Sequence, residues 1–347
     1  MNEEHCAYLG KDTDRKKNNH PVFDCLLHEQ CTLHHCDDQT SSCDRCRDSL
    51  KLSDEDFASK WVDPLPVTTR YRQPTTHLRN ILAGGGAFLI GGGPSANQLP
   101  LEDLNRKGVF SLGVNNVAAH PRFRPQAFVC SDPPKKFSHC IWFDPQIMKF
   151  VPKPKLSGIR SKLRRKLKDG SFEYLKERVY DCPNVWGFQR SSWLTPDNSF
   201  FTEPGAMWGN HNAGVKRTGE EKTVCTLLLG LRILYYLGAR RIYLVGVDFW
   251  MRPDHGYSFN QGRDEGACES NNRQFGVVND WMVRMVANGV FEQFGLEVCN
   301  CYANSGLRAF PYLPFDQAII DCKGICDDSP DLSDWYSKDE KDKGKKK

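Results

Sequence analysis

No apolar run in this chain of 347 residues reaches the ~18–20 residues that a bilayer-spanning helix needs. Net charge is scarce as well: 47 basic residues face 43 acidic ones, a balance of +4. So small an excess gives no footing for binding by bulk charge, and no specific nucleic acid is expected as a partner. The opening Met-Asn-Glu-Glu-His-Cys is polar and acidic, which predicts no secretory signal and a cytoplasmic protein. Apolar material is not lacking. Hydrophobic residues make up 39% and aromatics 11%, enough for a core and against wholesale disorder. The length allows one large or two medium domains.

Composition divides the chain into zones. Residues 1–60 are polar, His/Cys-rich and poor in aliphatics, and read as a small metal-binding module. Residues 61–84, which include Asp63-Pro-Leu-Pro-Val-Thr-Thr, read as a linker. Residues 85–320 alternate apolar runs with Gly, Pro and Asn, the pattern of an α/β domain. Residues 327–347 are acidic, then basic, and read as a disordered charged tail.

Six of the fifteen cysteines fall within the first 46 residues. Where no secretory signal is expected, such clustering points to metal before disulfides. The spacing is Cys25-x2-His28-x2-Cys31, then, after eleven residues, Cys43-x2-Cys46. Two short pairs across a loop let four side chains converge on a tetrahedral zinc ion. Cys31, Cys43 and Cys46 are the firmest candidates, with Cys25 or His28 as the fourth ligand. Four protein ligands would make the zinc structural, supplying folding energy to a polar segment. Phe23-x-Cys-x2-His-x2-Cys-Thr with the later Cys-x2-Cys also resembles a Cys/His module at the N-terminus of many planctomycete-type bacterial proteins. That match spans about 25 residues. The other nine cysteines sit mostly in apolar contexts and read as buried thiols.

In the long zone, 87–90, 109–114, 127–130, 241–246 and 296–301 read as strands. Residues 101–107, 220–237 and 279–294 read as helices, with Gly238 stopping the second. Strands separated by helices predict a Rossmann-like, doubly wound, mainly parallel sheet. Such sheets bind ligands beyond the C-terminal ends of their strands, and polar residues gather there. Gly91, Gly92, Gly93 and Ser95 follow the first strand. Backbone N–H groups of glycines can approach a phosphate, and Ser95 can donate to one. The run is neither a Walker A loop nor the dinucleotide fingerprint, and a tight strand-to-helix turn also calls for glycine. Asn115-Asn116 follow the second strand and Ser131-Asp132-Pro133 the third. Each reads as a nucleotide contact or as turn chemistry. Asp248 closes a later strand as a candidate catalytic carboxylate or a turn carboxylate. Tyr257 can stabilise a leaving phosphate. His255 is a candidate base or a surface histidine. Trp208-Gly-Asn-His-Asn-Ala-Gly214 reads as a substrate loop or a long connection.

Gly-Gly-Gly-Pro-Ser, Val-Asn-Asn, Ser-Asp-Pro and Leu-Gly-Ala-Arg-Arg-Ile-Tyr-Leu-Val-Gly-Val-Asp-Phe occur here in one order. That order resembles the bacterial CMP-sialic-acid-dependent sialyltransferases of lipooligosaccharide synthesis. It also resembles their superfamily, which includes the MptE-like 6-hydroxymethylpterin diphosphokinases. The resemblance covers about residues 85–315. It implies that Gly91, Gly92, Gly93, Ser95 and Asn115 hold the CMP moiety, that Asp132 faces the nucleotide, and that Thr226 (or Thr223), opening the long apolar helix, touches it. Tyr257 matches the second of the family's two phosphate-stabilising tyrosines. Trp250 stands at the first, and no histidine follows His255 to match the family's catalytic one.

These readings lead to a nucleotide-dependent transferase, a glycosyltransferase with a CMP-type sugar donor and a glycan or small-molecule acceptor. In one alternative, Asp132 or Asp248 holds Mg²⁺ for a diphosphokinase. In another, the chain is a catalytically inactive nucleotide-binding or scaffold protein with the zinc module as its partner-binding part. Residues 149–178, rich in Lys and Arg, read as a solvated insertion or as a contact to an anionic acceptor, a protein or a membrane surface.

Overall fold

A computed structural model describes residues 78–82, 84–152, 161–167, 169–188, 225–254, 256–259 and 263–323, together with the short elements at 9–17, 20–25, 35–36, 190–191, 199–202 and 207–208. Strands β1 (Leu9–Lys17), β2 (His20–Cys25) and β3 (His35–Cys36) form a small sheet in that order. Cys25 ends β2; His28, Cys31, Cys43 and Cys46 lie outside the described residues, as do residues 327–347 and Trp208-to-Gly214 beyond Trp208. Among the described residues, no group of three His, Cys, Asp or Glu could hold a metal ion. No helix among them is long and apolar enough to cross a membrane.

The strands β4 (Gly86–Ile90), β5 (Ser111–Val114), β6 (Ala127–Val129) and β7 (Met148–Pro152) come next. They are followed by β8 (Lys162–Lys166), β9 (Phe172–Arg178), β10 (Val185–Phe188), β11 (Arg190–Ser191), β12 (Met207–Trp208), β13 (Arg241–Val245) and β14 (Glu297–Asn300). The main sheet has the order β10-β7-β6-β5-β4-β13-β14. The pairs β10·β7, β6·β5, β5·β4, β4·β13 and β13·β14 are parallel. The helices are α1 (His139–Phe143), α2 (Ser199–Thr202), α3 (Thr226–Tyr236), α4 (Glu265–Ala287), α5 (Val290–Gln293) and α6 (Phe315–Lys323). This is the expected α/β class: a doubly wound, parallel sheet.

The chain packs as two compact units. One comprises Met1–Leu78, Cys130–Ser191 and Thr202–Met207; the other comprises Arg79–Val129, Ser192–Phe201 and Trp208–Lys347. The second contains β4, β5, β6, β13 and β14. Every residue of β4 is buried, as expected of a central parallel strand covered on both faces. Its side chains alternate. Phe88 and Ile90 join a core cluster with Tyr243, Val245, Phe315 and Ile319 on the α6 side. Leu89 points the other way, against α3, where a Cβ on Gly230 would come within 3.2 Å of Leu89 Cδ2 and closer still to Cδ1. Glycine there lets the helix approach the sheet. The apolar run Leu227–Leu229, Leu231, Ile233 and Leu234 buries the same helix. Gly238, at φ 100°, ends it, with its N–H on Tyr235 O at 3.0 Å. Cys268, Cys299 and Cys301 are buried free thiols, in keeping with the sequence.

The first unit corrects one expectation. Lys149 does not open a solvated insertion; it lies in β7 and is completely buried. Its Nζ donates to Ile147 O at 2.9 Å, to Pro183 O at 2.8 Å and to Asp144 O. Three carbonyls saturate an ammonium's three donors, which is what makes burying it tolerable.

Candidate functional site

Within the second unit, the chain leaves β4, runs outward through β5 and β6, and later returns through β13 to the opposite side of β4. A crevice opens beyond the strand ends wherever the winding reverses in this way. The loops after β4 and β13 therefore share one place. The glycine run is dictated first by that meeting. A Cβ on Gly91 would sit 2.5 Å from Gly246 O. One on Gly93 would sit 2.7 Å from the same oxygen and run into Asp248 Oδ1. Gly93 N–H donates to Gly246 O at 2.7 Å, and Gly246 itself turns at φ 62°. Only residues without a side chain allow two backbones to come this close.

Asp248 is 3% exposed. Its carboxylate accepts from Ser95 N–H at 3.1 Å and from Ser95 Oγ–H. Both groups expected at the ligand thus bind each other and lock the β4 loop to the β13 loop. The loop after β14 completes the lock. Ser305 Oγ–H donates to Val247 O at 2.6 Å, and Gly306 N–H to Asp248 O at 2.7 Å. Phe249 holds a left-handed φ of 56° and stacks on Phe275 at 4.8 Å.

Tyr257 and Phe259 stack at 4.9 Å with planes 9° apart. They lie over Gly92, whose added Cβ would come within 3.2 Å of Tyr257 and 3.0 Å of Phe259. Ser258 N–H donates to Gly92 O at 2.9 Å. Arg263 Nη2 donates to the Tyr257 hydroxyl at 3.0 Å, with its guanidinium 5.2 Å from the ring centroid. Among the described residues, Arg263 Nε and Ser258 Oγ are buried without a hydrogen-bond partner.

Asn115 directly follows the neighbouring β5, which pairs with β4 through Gly113 and Ile90. It holds a left-handed φ of 58°, and its Oδ1 is buried with no hydrogen-bond partner among the described residues. A strained backbone supporting an unsatisfied amide oxygen is a functional signature when it lies at a ligand edge. Arg263, on Tyr257, thus offers a buried donor, and Asn115, after the strand next to β4, a buried acceptor.

A polar relay that no sequence pattern announced joins this loop at Ser258. His120 Nδ1 accepts the Arg122 backbone N–H at 3.2 Å, which puts the ring proton on Nε2. Nε2 donates to Asn97 Oδ1 at 3.1 Å, and Asn97 Nδ2 donates to Ser258 O at 3.0 Å. The neutral tautomer is thereby fixed. Burial first, then the Arg122 charge, push the His120 pKa below its ordinary 6.5, against a smaller opposing pull from Glu102. Arg122 itself forks onto Glu102, with Nε to Oε1 and Nη2 to Oε2 both at 2.7 Å. That pairing holds the Glu102 carboxyl below its usual range.

A pH dependence follows. With its folded pKa lowered, His120 takes up its proton in the unfolded chain first. Stability is therefore expected to fall as pH drops through about 6.5, and to level off once the folded protein binds the proton too. Glu102 acts only lower, below about 4.5. Urea melts between pH 8 and pH 5 check this; a His120→Asn variant should show a flatter profile in the upper window, and an unchanged profile would remove His120 as the cause.

The other expected site residues have these places. Thr226 opens α3, with Cys225 at the N-cap position and no side-chain capping bond from it. Asp132 belongs to the first unit and pairs with Lys136 at 3.1 Å. The Arg252 guanidinium lies 5.3 Å from the Trp250 ring. His255 lies outside the described residues.

No family model matches the chain, and no curated protein matches it. Several solved structures are similar, among them these three. The sialyltransferase CstII from Campylobacter jejuni, in complex with cytidine-5'-monophosphate as a substrate analogue, is 13% identical over 73% of this chain and 96% of that one, with a TM-score of 0.36. CST-II in complex with a trisaccharide acceptor and CMP is 11% identical over 72% and 93%, at 0.35. The MAf glycosyltransferase from Magnetospirillum magneticum AMB-1 is 12% identical over 74% of this chain and 36% of that one, at 0.34. Likenesses this distant assign no residue; the site stands on its own geometry.

Proposed function

We propose that the chain is a nucleotide-dependent transferase that takes a CMP-type activated sugar and passes the sugar to a glycan or small-molecule acceptor. The observation that carries this reading is the Tyr257–Arg263 pair over Gly92, with Arg263 Nε buried and lacking an acceptor. A phosphate beside Gly92 would supply that acceptor, and a guanidinium is suited to it by shape and charge. Asn115 Oδ1 would accept from the amino or hydroxyl groups of the nucleoside.

In the proposed step the acceptor hydroxyl oxygen attacks the anomeric carbon of the sugar. The bond from that carbon to the phosphate oxygen breaks, and its electron pair stays on the phosphate. Tyr257 O–H and Arg263 stabilise the charge that grows there. A base takes the acceptor's proton, and His255 is the candidate. Ser95 and Asp248 hold the loop rather than touch the reacting atoms, and Thr226 and Asp132 remain candidate nucleotide contacts. In the N-terminal module, zinc on Cys31, Cys43, Cys46 and either Cys25 or His28 would be structural.

The test is a thermal-shift screen of the purified protein against CMP, CDP, UDP, GDP, ADP and ATP, each with and without Mg²⁺. A ligand that binds only the folded state raises its melting temperature. Stabilisation by a cytidine nucleotide without Mg²⁺ is expected, and Arg263→Ala should lose it. Stabilisation by ATP or ADP only with Mg²⁺ would select the diphosphokinase instead. No shift with any nucleotide would select the scaffold.

A further inference from the structure

In the first unit, β8 and β9 form a two-stranded antiparallel sheet of their own. Its register pairs Arg164 with Tyr174 and Lys166 with Phe172. Partners across a ladder share a face, so this face alternates cations with aromatics. The Arg164 guanidinium lies 3.7 Å from the Phe172 centroid, and Lys162 Nζ lies 5.7 Å from that of Tyr174. Lys135, from the turn Pro134–Lys136, adds a third cation at 6.0 Å from Tyr174. The ladder carboxylate Glu173 alternates onto the opposite face, where it pairs with Arg165 at 2.7 Å. The turn carboxylate Asp169 is held by Ser171 N–H at 2.9 Å and Ser171 Oγ–H at 2.6 Å.

Large apolar side chains are nevertheless left in water here. Phe172 is 50% exposed, Tyr174 54% and Leu167 38%. Leu167 and Phe172 flank the turn at the hairpin's tip, closed by Leu167 N–H on Ser171 O at 2.8 Å. We propose that this face docks on an anionic membrane surface. Leu167 and Phe172 would enter the boundary between headgroups and acyl chains, while Lys162, Arg164 and Lys166 rest on headgroup phosphates. Cations on long stems beside amphipathic rings are what such an interface favours. Single-stranded nucleic acid would need open ring faces for its bases to stack on. Here the Arg164 guanidinium already lies against one face of Phe172, and the aliphatic Leu167 at the tip has no part in stacking.

The test is co-sedimentation of the full chain with vesicles of phosphatidylcholine alone, or of phosphatidylcholine with phosphatidylglycerol. Binding is expected only to the second, weakening as salt rises. The double variant Lys166→Gln/Lys176→Gln removes two exposed cations, the second two residues along β9 from Tyr174, and should lower the partition coefficient by about 30-fold. Phe172→Ser should weaken it about tenfold without altering the salt dependence. Thermal melts and nucleotide shifts of both variants should match the parent, which separates this contact from the proposed transferase site. Equal binding to both vesicles, indifference to the double variant, or binding of oligo-dT in place of vesicles would overturn the proposal.

Discussion

Asp248→Ala is expected to lower the free energy of unfolding by about 3 kcal/mol, since it removes a charged acceptor serving two donors. The carboxylate is buried and takes both Ser95 N–H and Ser95 Oγ–H. Without it the backbone N–H loses its partner in a place from which water is excluded. Asp248→Asn is expected to cost about half as much, because an amide keeps one acceptor oxygen. Ser95→Ala should cost about 1 kcal/mol, losing the hydroxyl bond and keeping the backbone one. Urea denaturation of the three variants gives the comparison. A loss below ~0.5 kcal/mol for Asp248→Ala, the range of an ordinary surface change, would mean that the loop is held by its glycines alone.

Turnover, measured as release of the nucleoside monophosphate, should fall about 100-fold in Tyr257→Phe while nucleotide affinity changes little. Phenylalanine keeps the ring that stacks on Phe259 and covers Gly92. The substitution therefore isolates the hydroxyl. Its loss removes one donor from the leaving phosphate and frees Arg263 Nη2 from its present acceptor. A drop in affinity with unchanged turnover would make Tyr257 a binding residue only. No change in either would place the phosphate away from Gly92.

What could be read from the sequence depended on whether a pattern was local. Strands β4, β5, β6, β13 and β14 were legible because short apolar runs end at Gly, Asn or Asp. Helix α3 was legible because its leucines recur along eleven residues. Helix α4 was expected only from about residue 279, yet it begins at Glu265. Its first half, with Ser270, Asn271, Asn272 and Arg273, has no apolar stripe, and of that half only Cys268 is buried. The signal that could have found its start is Asp264, whose carboxylate caps Ala267 N–H at 2.8 Å. Strand β7 was hidden by Lys149, a charge that is buried only because three carbonyls gather around it.

At the site, the glycine run, Asn115, Asp248 and Tyr257 stood out because each follows a recognisable strand. Their division of labour did not. Asp248 proved to be the partner of Ser95, a pairing across 153 positions that no spacing rule reveals. His120, Asn97 and Arg122 were missed for the same reason: each is an ordinary loop residue until the fold brings them together. Arg263 lies six residues from Tyr257, and a guanidinium that close to a phosphate-side tyrosine was the one missed residue within reach of sequence reasoning.

The winding of the sheet also sets when this site comes into being. On a ribosome, β4 and its glycine loop emerge about 150 residues before Asp248, and loop closure over that span is slow and costly. Until β13 arrives, β4, buried along its whole length in the finished unit, is an open edge. An apolar edge left waiting is prone to pair with the wrong neighbour. The crevice is thus assembled late, once the Gly246–Asp248 loop and then Ser305 have been made. Any truncation or stall before Arg241 yields a chain that has lost not only the Asp248 lock but also the strand that shields β4 from other copies of itself.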